Sequence, residues 1–83
     1  MFINKLEDGR NNICGSQIAK QRKLLRLSQR ELADDLQRLG LDIDKNAVQR
    51  IEAGKRFVTD IELVYFSKAL NLSYVELLSG KLL

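Results

Sequence analysis

The stretch SQRELADDLQRLGLDIDKNAVQRIEAGKR, residues 28 to 56, constrains the fold more than any other part of the chain. Ser28 stands three residues before Glu31, the capping-box spacing, in which the hydroxyl accepts from one orphan backbone N–H while the carboxylate reaches back to another. Leu32, Ala33, Leu36 and Leu39 then recur at three- and four-residue intervals as one apolar stripe. Arg30, Asp34, Asp35, Gln37 and Arg38 fall on the other faces, and Gly40 stops the helix. A second, shorter helix opens behind Asp44 as its cap and turns Val48 and Ile51 inward, with Lys45, Asn46, Gln49 and Arg50 left outside. Gly54 ends it, and Lys55 and Arg56 follow at once.

The flanking segments use the same signals. Residues 15 to 26 read as a basic amphipathic helix capped by Ser16, with Cys14, Ile18, Leu25 and the aliphatic part of Arg22 on one side and Lys20, Lys23 and Arg26 on the other. Thr59 with Glu62 makes a second capping box, and Ile61, Val64, Tyr65, Ala69 and Leu70 are the expected buried stripe behind it. Asn71 suits a left-handed helix end. Ser73 with Glu76 makes a third box for a short last helix carrying Val75, Leu77 and Leu78, closed by Gly80. Residues 1–12 show no sustained period and read as an N-terminal arm or loop, with a partly ordered tail as the plain expectation. Met1, Phe2, Ile3 and Leu6 offer it apolar anchors. Five short helices thus account for residues 13–83: the expected fold is all-α, compact and single-domain, with no repeat or linker.

Composition agrees and narrows the chemistry. Five Gly and no Pro in 83 residues favour helices over a turn-rich β fold. The chain carries +3 with a pI near 9.2, a mild surplus whose distribution says more than its size. From Ser16 to Arg56 there are ten bases against six acids, whereas residues 57 to 83 come out at minus one. A single cysteine, Cys14, allows no internal disulfide, and the absence of histidine removes the commonest general base and leaves no zinc constellation. No nucleophile with a base and no metal cluster is visible, so an enzyme is not expected, nor is any cofactor. With no leader-like segment and no apolar run near about 18 residues, the expected location is the cytosol, away from membranes.

The run LSQRELADDL at residues 27 to 36, together with Ile18, Arg22, Val48, Ile51, Glu52, Gly54, Lys55 and Arg56, resembles the lambda-repressor-like, Cro/cI-type (XRE) helix-turn-helix family over about residues 13 to 78. Three features depart from that pattern. The family's turn between Leu36 and Ile43 is commonly shorter, so residues 37 to 41 either lengthen the first helix of the motif or enlarge the loop. The family often has Gly where Arg26 stands and Pro soon after Arg56, where Val58 and Thr59 stand.

The resemblance implies a helix-turn-helix built from the second and third of the five helices, and site roles for named residues. In such modules the second helix of the motif enters the major groove and the first crosses the backbone. By position Lys45, Asn46, Gln49 and Arg50 become candidates for base contacts, since Asn and Gln match an adenine edge and Lys or Arg a guanine edge. Ala47 is small enough to approach a thymine methyl, or is a spacer. Gln29, Lys55 and Arg56 become candidates for phosphate contacts, with Arg30 and Lys23 weaker ones on helix flanks; a solvated helix face is the plain alternative for each. Arg22 and Glu52 are expected to pair internally as a salt bridge. Tyr65, Phe66 and Tyr74 are expected in the core or a dimer contact, not stacked on bases. Glu7 and Asp8 argue against a DNA-touching arm.

The function so implied is sequence-specific binding of double-stranded DNA by a transcriptional regulator, repressing, as a homodimer on two half-sites. Val75, Leu78, Leu82 and Leu83 are its expected dimer surface. The alternative is the antitoxin of a toxin–antitoxin pair, binding a toxin protein through the acid-leaning C-terminal half and its own operator. A third reading is a phage or mobile-element module whose effector domain is encoded separately.

Overall fold

The computed structural model describes residues 5–79; the expectations placed on Met1, Phe2, Ile3, Gly80, Leu82 and Leu83 lie outside them. Five helices follow in order, α1 (Gly15–Leu24), α2 (Gln29–Leu39), α3 (Lys45–Glu52), α4 (Asp60–Leu70) and α5 (Tyr74–Leu78), with no strand among the described residues. The fold is all-α. Its radius of gyration, 12.1 Å, is that of a close-packed domain of this length.

Local chemistry starts most of these helices where the side chains indicate. Ser28 with Glu31, Thr59 with Glu62 and Ser73 with Glu76 all form complete capping boxes, and Asp44 accepts from the Ala47 N–H. The first helix differs. Ser16 lies inside α1, and it is Asn12 Oδ1 that accepts from the Gly15 N–H at 2.8 Å, reaching three residues forward as a cap does. α1 also ends at Leu24, because Arg26 adopts a left-handed conformation with φ 60°. The Arg26 and Leu27 N–H groups then close the helix end onto the Lys23 and Arg22 carbonyls, both at 3.0 Å.

The core is built from Cys14, Ile18, Leu32, Ala33, Leu36, Ile43, Val48, Ile51, Phe66, Leu70 and Leu77. Several expected members stand outside it. Leu25 lies beyond the end of α1 and is exposed, and Leu39 sits in the exposed last turn of α2. In α4, Ile61 is 67% exposed and Val64 borders solvent, while Phe66 and Leu70 are fully buried. Val75 of α5 is 78% exposed. The reason in α4 is that Ile61, Leu63, Val64, Tyr65, Phe66, Ala69 and Leu70 leave it apolar almost all round, so periodicity alone does not choose the inward face.

The connection between α2 and α3 takes both of the forms left open. α2 runs on to Leu39, and residues 40–44 then form a loop that is pinned at three points. The Leu41 N–H donates to Leu36 O at 2.9 Å, the Ile43 N–H to Leu41 O at 3.0 Å, and Gln37 Nε2 to Ile43 O at 2.8 Å. Ile43 drops its side chain into the core, so the loop is anchored by burial as well as by hydrogen bonds. α3 packs on α1 and α2. Val48 and Ile51 fix its inner face, each contributing about 1.5–3 kcal/mol by burial.

Candidate nucleic-acid interface

With Val48 and Ile51 facing inward, helical geometry sends Lys45, Asn46, Gln49 and Arg50 to the surface, and all four are exposed. Asn46, Gln49, Arg50, Ala53 and Lys55 line one shallow groove. A neighbouring cleft between α2 and α3 brings Arg30 beside Lys45, with Ala33, Asp34, Gln37 and Asp44 in its walls. Among the described residues no hydrogen bond or ion pair engages the side chains of Lys45, Asn46, Gln49, Arg50, Lys55 or Arg30, so their donors and acceptors are open to a ligand. Ala47 is half-buried against the core.

The base of α3 is tied to the rest of the fold through Glu52. Arg22 Nε and Nη2 donate to its two carboxylate oxygens at 2.7 and 3.0 Å, and Arg22 Nη1 donates to Leu27 O at 2.7 Å. The pair is largely shielded, with side-chain exposures of 12% and 8%. Gln29 joins it, its Nε2 donating to Glu52 Oε1 at 3.0 Å. One amide hydrogen of Gln29 is therefore spent inside the protein and one remains for a ligand. α1, α2 and α3 meet at a single carboxylate.

Arg56, expected to face a phosphate, is turned toward α4. Its Nη1 and Nη2 donate to Glu62 Oε1 and Oε2 at 3.1 and 2.8 Å, and Nη1 also donates to Phe57 O at 3.1 Å. The cause is the capping box: Thr59 holds Glu62 in the first turn of α4, where its carboxylate meets the guanidinium fork. Burial pushes the Glu62 carboxyl up, but hydrogen bonds from Arg56 and Thr59 outweigh it and leave the group below the ordinary carboxylate value. The bond to Glu62 raises Arg56 in turn. Arg56 is thus a strut between the loop after α3 and α4, and Lys55 is the exposed cation of that loop.

Sequence reading missed the support at the C-terminal end of α3. Asn12 Nδ2 donates to Ile51 O at 3.0 Å and to Arg56 O at 2.8 Å; Arg10 Nη2 donates to Glu52 O at 2.9 Å. Asn11 donates through its backbone N–H to Gly54 O at 2.7 Å and through Nδ2 to Lys55 O at 3.2 Å. Residues 10–12 are therefore bound into the fold, where the sequence suggests only a partly ordered tail. Two glycines make the approach possible. A Cβ on Gly15 would strike Ile51 O, with Asn12 Oδ1 at 2.7 Å and Arg10 Nη2 at 2.8 Å. Gly54 has φ 78°, which favours glycine, and Arg10 lies across it, 2.8 Å from where a Cβ would stand. An Asn pair shortly before a Gly is too weak a signal to have revealed any of this.

Other candidates fall away on geometry. Phe66 is fully buried and Tyr65 half-buried in the core, whereas Tyr74 is exposed. Burial pushes the Cys14 thiol up to about 11, which keeps it protonated and unreactive. Among the described residues no three His, Cys, Asp or Glu side chains gather as a metal site, and no helix is long and apolar enough to cross a membrane.

A family model described as helix-turn-helix matches residues 18–77, more than half of the chain. No curated protein and no solved structure matched it. The matched span opens on Ile18 in α1 and closes on Leu77 in α5, enclosing the groove on α3 and the Arg22–Glu52 pair beneath it. The chain belongs to the XRE, lambda-repressor-like helix-turn-helix family, a family of DNA-binding regulatory domains and not of catalysts.

Proposed function

We propose that this chain is a sequence-specific transcriptional repressor that lays α3 in the major groove of double-stranded DNA as a homodimer. The observation that carries the reading is the outer face of α3. Lys45, Asn46, Gln49 and Arg50 stand there unpartnered on a helix whose backbone is fixed at both ends. Pre-positioned donors of this kind suit base edges, each good bidentate pair contributing about 1–3 kcal/mol of discrimination. Lys55 and Arg30 carry the phosphate contacts, with the second amide hydrogen of Gln29 beside the N-terminus of α2. Arg56 takes part through its hold on the loop. In this reading residues 13–83 are the DNA-binding domain and residues 1–12 its arm. Two copies are required because one recognition helix reads too few base pairs to select a genomic site.

The test is titration of labelled mixed-sequence duplexes at two salt concentrations. Selective binding that weakens steeply with salt, and that a folded Gln49→Ala, Arg50→Ala double variant loses, is the expected result. Equal affinity for every sequence, or no binding at low salt, overturns it.

A second reading, an antitoxin, draws on the exposed Ile61 and Val64 of α4 and Tyr74 and Val75 of α5, apolar surface away from α3 that a toxin protein would cover. A small toxin-like protein encoded beside this gene, and its co-purification with the chain, separates that reading from an autonomous repressor.

A further inference from the structure

Resting on the DNA-binding reading above, the proposal here concerns residues 10–12, which do not line the exposed groove on α3 and meet it only at the Lys55 carbonyl. Their hydrogen bonds to other elements converge on one place. Five donated bonds end on the carbonyls of Ile51, Glu52, Gly54, Lys55 and Arg56, and the sixth caps α1 at Gly15; none reaches α2, α4 or α5. The Asn12 side-chain amide alone bridges Ile51 O to Arg56 O, closing the loop of residues 53–55 across its base. Arg10 lies over Gly54, and Asn11 holds Gly54 and Lys55 from the same side.

What this loop presents is Lys55, exposed and without a partner, beside the groove of Asn46, Gln49 and Arg50. A flexible lysine on a loose loop meets a phosphate only after ordering both loop and side chain, and that entropy subtracts from affinity. A loop whose Gly54, Lys55 and Arg56 carbonyls are already bonded, with the Ile51 and Glu52 carbonyls that lead into it, has lost the backbone share of that freedom on folding. We propose that residues 10–12 form a clasp that positions Lys55 against a DNA phosphate, acting through the loop without touching DNA. Arg10 is basic but is not itself the contact. Its Nη2 is spent on Glu52 O and its Nε is buried without a partner, so its fork is turned into the protein. Asn11 Oδ1 is likewise buried and unpaired, a cost the segment bears while holding the loop.

The experiment is a pair of double-mutant cycles on affinity for the duplex that the wild-type chain selects, with thermal unfolding confirming that each variant is folded. Arg10→Ala is the first clasp variant and Asn11→Ala the second, because loss of Asn12 could prevent folding. In the wild-type background Lys55→Ala should weaken binding about five- to tenfold and lower the salt slope by about one. In the Arg10→Ala or Asn11→Ala background the same Lys55→Ala change should weaken binding by less than about twofold, because the lysine has already lost its seat. Arg30→Ala, on α2 and outside the clasp, should cost the same in both backgrounds, and Arg10→Lys should recover part of the lost coupling. Full additivity between the clasp and Lys55, or equal coupling of the clasp to Arg30, overturns the proposal and assigns residues 10–12 to stability or to direct contact. Absence of selective binding by the wild-type chain appears in the first titration and overturns the DNA-binding reading itself, so the two failures are distinct.

Discussion

The two ends of α3 are held in different ways. At the N-terminal end the restraints are local: Asp44 accepts from Ala47 at 2.8 Å and Gln37 reaches Ile43 O six residues away. At the C-terminal end they come from far along the chain. Arg22 reaches Glu52 across 30 residues, Gln29 across 23, and Asn12 reaches Ile51 across 39. Lys45 and Asn46 therefore ride on an end held by near neighbours in sequence, whereas Lys55 rides on one that is locked to α1, α2 and the N-terminal segment. The longer connection of residues 40–44 belongs to the locally held end.

The contrast is broken most sharply at its locked end. Glu52→Gln keeps the size of the side chain but leaves the shielded Arg22 without its counter-charge, and should destabilise the fold by about 3 kcal/mol in denaturant unfolding, the lower part of the range for a half-broken buried pair because some solvent reaches it. Gly15→Ala tests the same end through packing. Its methyl must displace Ile51 O or the Asn12 and Arg10 side chains, a cost of about 2 kcal/mol on the scale of core overpacking. If either substitution proves neutral, the C-terminal end of α3 is not locked in the way described.

The same division explains what could be read from the chain before its fold was known. Three capping boxes and the Asp44 cap were legible because the hydroxyl or carboxylate and its target lie within one turn. Val48 and Ile51 were legible because α3, Ala47 aside, is polar everywhere else, and the outward set of Lys45, Asn46, Gln49 and Arg50 followed as its complement. Leu39 and Ile61 misled because periodicity reports a face but not where the neighbouring helices stop, and α4 is too uniformly apolar for a face to stand out. Arg56 looked like a free base because Glu62, its partner, lies beyond a loop whose course only folding decides. Asn12 carried too weak a signal: its bonds depend on α1 crossing α3 closely enough for Gly15 to touch Ile51.

Smaller effects sharpen the comparison at the locally held end. Asp44→Ala should cost only about 1 kcal/mol of stability, the usual loss of a helix cap, yet, if α3 reads bases as proposed, should relax discrimination at the positions assigned to Lys45 and Asn46 more than at that assigned to Arg50. Duplexes substituted one base pair at a time read this out, and a uniform loss across the site would remove the distinction between the ends. Smallest is Arg26→Gly. It relieves a left-handed residue with a Cβ, worth about 1–2 kcal/mol, against the added freedom of glycine in the unfolded chain, worth about 0.4–1 kcal/mol. The net should be a gain of about 0.5 kcal/mol, seen as a higher Tm with DNA affinity unchanged.

The central claim, that the outer face of α3 reads DNA, is tested most directly by mapping backbone and side-chain amide NMR shifts of the chain as a selected duplex is added. The largest changes should fall on Lys45, Asn46, Gln49, Arg50 and Lys55 and on the Gln29–Arg30 start of α2, with Ile61, Val64 and Val75 nearly unmoved. Changes centred on α4 and α5 with α3 silent would contradict the claim.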